Sequence, residues 1–142
     1  AIDSQLGINR VQEFLNKIEY GNQTTSSNLD LYWSDFSLKI SPLEQVTLLK
    51  KFNTNEFHLN SQNVFSVKNA IKIASTPNGN FYGKTGTGRV NGQDINGWFI
   101  GYVETSDNSY YFATNIQSDS NATGKKAFEI TSDILKKLHI WN

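Results

Sequence analysis

Three side chains on one short strand could do chemistry: Lys84, Thr85 and Thr87, set in Tyr82-Gly83-Lys84-Thr85-Gly86-Thr87-Gly88. The stretch offers one ammonium and two hydroxyls between glycines. Glycine weakens a strand, and Lys and Thr do not fill a core, so packing does not explain the choice. Glycines inside a strand mark places where something approaches the backbone closely. Such a surface suits an anionic, amide-containing ligand. The ligand pairs with free backbone groups while its carboxylate meets the Thr85 hydroxyl and the Lys84 charge. A backbone N–H here also serves as an oxyanion donor if a nucleophile stands opposite. The plain alternative is a polar edge strand whose lysine guards against aggregation.

Composition removes most other chemistries. Thirteen basic and thirteen acidic residues cancel, which leaves no electrostatic footprint for nucleic acid or an anionic membrane. The absence of cysteine excludes disulfides, thiolate metal sites and a cysteine nucleophile. His58 and His139 stand far apart and form no triad or metal pair, and no cofactor is implied. No run approaches the roughly 18 apolar residues of a spanning helix. The opening residues from Ala1 to Gly7 read as the middle of a helical passage, as if the chain were cut from something longer.

The elements that position the strand follow from periodicity. Ile8, Val11, Phe14, Leu15 and Ile18 predict a helix over 8–18, ended by Tyr20-Gly21-Asn22. A polar loop leads to Tyr32-Trp33, an aromatic pair whose simplest role is to plug a core. Ser41-Pro42-Leu43-Glu44 combines a cap, a first-turn proline and a capping box, and the helix it starts buries Leu43, Val46, Leu49 and Phe52. A further helix over 61–74 uses Val64, Val67, Ile71 and Ile73, and residues 75–80 are turn chemistry. The period then becomes strand-like over 81–90, 98–105 and 110–117. A last helix spans 124–138, with Lys125 and Lys126 as a solvated start. The expectation is one α+β domain, an antiparallel three-strand meander flanked by helices.

The order of motifs is more specific than its parts. Lys-Thr-Gly is one signature of the serine penicillin-recognising enzymes. Here Tyr20-Gly21-Asn22, Tyr32-Trp33 and the run from Ser37 to Val46 precede Tyr82 to Gly88. Gly97-Trp98-Phe99-Ile100-Gly101-Tyr102-Val103-Glu104 and Tyr110-Tyr111-Phe112-Ala113-Thr114-Asn115 follow it. Over the whole chain this resembles the C-terminal half of a class D (OXA-type) penicillin-recognising domain, the family of class D β-lactamases and of the extracellular BlaR/MecR antibiotic sensors.

The resemblance implies a β-lactam ligand and a serine that the ligand acylates. Lys84, Thr85 and Gly86 would line the pocket, Thr85 and Thr87 would contact the ligand, and the Thr87 N–H would form half of an oxyanion hole. Tyr20 and Asn22 match a motif near the pocket. Trp33 matches the tryptophan that holds the carboxylated base lysine in the enzymes. Lys126 stands where the enzymes carry a carboxylate-binding arginine, but as a point charge without the bidentate fork.

No Ser-x-x-Lys occurs in the chain. The nucleophile and its lysine must therefore come from an N-terminal half or a complementing chain, and this fragment alone is expected to be inactive. Ser34 follows Trp33 where the enzymes place Leu or Ile. A polar residue there would destabilise the carbamate, which favours a sensor, with its parent anchored in a bacterial membrane, over a class D hydrolase.

Overall fold

The structure, a computed structural model, describes residues 5–25 and 37–141. The chain comprises two compact units, residues 1–48 and 49–142, and each is taken by itself.

In the first unit, α1 (Ile8–Lys17) buries Val11 and Leu15, with Tyr20 and Leu38 packed against them. The left-handed residue after this helix is Glu19, with φ 54°, so Gly21 is not the stop signal its position suggested. Gly21 instead permits a close approach, since a Cβ there would run into the Lys39 carbonyl. The capping box at the start of α2 (Pro42–Asn53) forms as expected. The Ser41 N–H donates to Glu44 Oε2 at 2.8 Å, and the Glu44 N–H donates to Ser41 Oγ at 3.3 Å. These bonds hold the Glu44 carboxyl below its ordinary pKa. Leu43, assigned to the core by spacing, is 80% exposed. The buried stripe of α2 passes through Gln45, Leu48 and Leu49, and a polar residue at one of its positions rotates a face read from apolar residues alone.

In the second unit, α3 (Ser61–Ala70) ends four residues before the sequence pattern did. Residues expected in its last turn belong to β1 (Lys72–Thr76). The α+β class holds, and the sheet gains a strand: β1, β2 (Gly79–Val90), β3 (Gln93–Thr105) and β4 (Ser109–Gln117) lie in that order, all antiparallel. Ile71 and Ile73 fit either period, and pairing of β1 with Gly79–Tyr82 decides the matter. The loop expected between Asn91 and Gly97 is instead a tight turn, and β3 begins at Gln93.

The last helix, α4 (Gly124–Lys137), covers one face of the sheet. Phe81, Phe99 and Val103 meet its Ala127 and Leu135, each at most 4% exposed. Phe99 sets its ring edge-on against Phe128 at 5.0 Å, an arrangement that adds to simple burial. The opposite face carries a row of tyrosines, with Tyr82 stacked on Tyr102 at 4.7 Å and Tyr111 beyond. Asn53, which lies in this second unit, donates there to Glu104 and to the Tyr111 hydroxyl.

Candidate functional site

The free edge of β2 is the site's main feature. β1 accompanies β2 only as far as Tyr82, and the Gly83 N–H donates to the Ile71 carbonyl at 2.8 Å. From Lys84 to Gly88 no described strand flanks that edge. Backbone groups in an antiparallel strand alternate in direction. Gly83 points away from β3, so Thr85 and Thr87 also present their N–H and C=O groups to the open side, until the register shifts after Gly88.

Side chains alternate as well. Thr85 and Thr87 share the α4 face with Phe99 and Gly97, their partners on β3, while Lys84 and Gly86 share the other face with Ile100 and Trp98. All four residues from Lys84 to Thr87 are exposed. Lys84 still reaches the edge, because its Nζ donates to the Thr85 carbonyl at 2.6 Å. An ammonium, two hydroxyls and outward amides therefore gather along a few ångströms of strand. A Cβ on Gly86 would meet nothing nearer than Trp98 Cβ at 3.8 Å, so no internal packing demands glycine there. The absent side chain leaves open space beside Lys84.

Helix α4 closes the other side. Thr123 caps it by accepting from the Lys126 N–H at 3.1 Å, and the Gly124 N–H donates to Thr87 Oγ1 at 2.9 Å. Lys126 is exposed in the first turn. Its neighbour Lys125 is spent on Glu129 at 3.9 Å, whereas Lys126 has no ion pair among the described residues.

The remaining sequence candidates lie in the first unit. Tyr20 sinks its ring against Val11 and Leu15, and burial raises its hydroxyl pKa. Asn22 is occupied: its Nδ2 donates to the Ser37 carbonyl at 2.8 Å and its Oδ1 accepts from the Lys39 N–H at 2.9 Å. Trp33 and Ser34 lie outside the described residues. Sequence reasoning missed Gly97 and Gly124, whose bare α-carbons allow α4 to approach the strand. The signal was present in a glycine inside a strand and another just after a capping threonine.

Lys84, Thr85 and Thr87 along an edge that no described strand pairs, with a helix start beside them on an antiparallel sheet, form the candidate site. The chain belongs to the penicillin binding protein transpeptidase domain family, whose model matches residues 1–136.

Among relatives, it is 46% identical over 140 residues to the regulatory protein BlaR1 of Bacillus licheniformis and 42% identical over 139 residues to the methicillin resistance mecR1 protein of Staphylococcus aureus. Each match takes in 98–99% of this chain, which spans about a quarter of those proteins' length (23% and 24%). Among solved structures, the C-terminal domain of the B. licheniformis BlaR penicillin-receptor superposes with a TM-score of 0.93 at 45% identity, over 99% of this chain and 57% of that one. A class D β-lactamase from Bacillus subtilis gives 0.89 at 36% identity, over 98% and 56%.

Proposed function

We propose that this chain is the C-terminal part of a single β-lactam sensor domain of the BlaR/MecR type, exposed on the outer face of a bacterial membrane. The observation that carries the reading is the edge at Thr85 and Thr87, which no described strand pairs, with the Lys84 ammonium folded onto it. A β-lactam lays its amide along this edge and its carboxylate toward the hydroxyls and lysines, so that its ring carbonyl faces the Thr87 N–H. A serine from the other part of the domain attacks that carbonyl. The Ser O–C bond forms, the ring C–N bond breaks, and the serine proton passes to the ring nitrogen. The Thr87 amide stabilises the oxygen that carries charge in between.

Sensor and hydrolase share this step and differ in the next one, loss of the acyl group. Higher identity to the receptors than to the class D enzyme supports the sensor.

The test is to label the intact domain with a fluorescent penicillin. Retention of the label for many minutes is the expected result. Rapid loss of label with turnover of a chromogenic cephalosporin would establish the class D hydrolase instead.

A further inference from the structure

The start of α4 is pressed onto β2 more tightly than side chains would permit. A Cβ on Gly124 would lie 2.6 Å from the Gly86 oxygen, 2.9 Å from the Gly86 nitrogen and 2.9 Å from Thr85 Cβ. One strand over, a Cβ on Gly97, the register partner of Thr87, would strike the Thr123 carbonyl. Two glycines therefore let the turn before α4 rest on the backbone of the Lys-Thr-Gly segment. At that contact the Gly124 N–H donates to Thr87 Oγ1. A hydroxyl that accepts on one side directs its own proton elsewhere, and the remaining side of Thr87 is exposed.

We infer that Gly124 is a positioning residue for acylation: it orients the Thr87 hydroxyl as a donor toward the ligand and fixes the level of the Thr87 amide. The inference rests on the reading of β2 as the wall that receives the acyl group. It adds that this wall is set from behind, by the Gly124 backbone, which itself touches no ligand. A Cβ at position 124 pushes α4 off the strand, releases the Thr87 hydroxyl to rotate and lets the outward amides drift. Preorganised donors lose much of their effect when displaced by a fraction of an ångström.

The experiment is a double-mutant cycle in the intact domain with Gly124→Ala and Thr87→Val, following acylation by a fluorescent penicillin at rising concentration. Gly124→Ala is expected to lower the limiting acylation rate tenfold or more while the concentration for half-maximal rate stays within about threefold. In the Thr87→Val background the same change should cost clearly less, because the hydroxyl it orients is gone and only the displacement of the backbone amide at position 87 remains. Full additive loss in both backgrounds, or a wild-type rate for Gly124→Ala, overturns the inference.

If Gly124→Ala does not fold, amide exchange of the wild-type domain decides. The Gly124 amide should be protected, and Thr87→Val should expose it while Ala127, bonded to the Thr123 carbonyl, stays protected. An unprotected Gly124 amide in the wild type overturns the inference. A wild-type domain that never acquires label instead sinks the β-lactam reading itself, so the two failures are distinct.

Discussion

The Gly83 N–H reaches the Ile71 carbonyl at 2.8 Å, and beyond that bond β2 has no described neighbour on its outer side. The relationship fixes where strand pairing ends and the proposed binding surface begins. It also ranks the residues beyond it. Thr85 sits on the edge itself, whereas Lys126 is a solvated lysine in the first turn of α4. A hydrogen bond to a charged ligand group contributes about 1.5–3 kcal/mol, and an exposed charge about 0–1 kcal/mol. Thr85→Ala in the intact domain should therefore slow acylation roughly 10- to 100-fold. Lys126→Ala should slow it less than about fivefold by the same conversion. Stopped-flow labelling measures both, and equal or reversed effects would remove Thr85 from the carboxylate.

A second expectation concerns the fragment. No Ser-x-x-Lys lies in these residues, so the isolated chain should take up no fluorescent penicillin under conditions that label the intact domain. A denaturing gel reads the result directly. A covalent band on residues 1–142 alone would mean that another nucleophile exists.

The tyrosine row makes a prediction about pH. Burial first, then the Glu104 charge and the neighbouring tyrosines, push the Tyr102 hydroxyl far above its ordinary pKa, and burial and Glu104 raise Tyr82 as well. Because the folded pKa lies above the unfolded one, this stabilisation is fully present below about pH 10 and is lost as pH rises toward the folded value. Thermal midpoints of the intact domain should hold through neutral pH and fall above about pH 10. The Tyr102 hydroxyl is buried and has no hydrogen-bond partner among the described residues. Tyr102→Phe should therefore leave stability at pH 7 unchanged or raise it by about 1 kcal/mol, and it should flatten the alkaline fall. A clear loss at pH 7 would point to a bond that the hydroxyl makes.

Much of this was legible in the sequence because local and global signals agreed there. The capping box at Ser41 and Glu44 and the aromatic alternation of β3 each have one physical reading, and the fold uses it; the glycine-studded Lys84 segment was legible as a strand. What was not legible depends on pairing and close approach. Ile71 and Ile73 serve a helix or a strand equally, and only the partner strand chooses. Gln45 occupies a buried position that a hydrophobic count skips. Gly124 reads as an ordinary helix start until the strand beneath it is known, since a clash involving a missing side chain leaves no trace in composition.

Asn22 carries the last prediction, because its sequence role and its local bonding point in different directions. Its amide joins two loop segments, donating to the Ser37 carbonyl and accepting from the Lys39 N–H, while the Asn22 N–H donates to the Lys39 carbonyl at 2.9 Å. Gly21 beside it lets the Lys39 backbone come close. An amide with both ends occupied acts first as a latch. Asn22→Ala removes these two side-chain bonds and a third, longer one accepted from the Thr24 N–H at 3.3 Å, worth about 1 kcal/mol each at most, discounted for exposure. It should lower the thermal midpoint of the intact domain by a few degrees. Asn22→Asp keeps the acceptor to Lys39, loses the donor to Ser37 and should fall between Ala and wild type. If both variants keep the wild-type midpoint while acylation drops, the latch is incidental and Asn22 serves acylation.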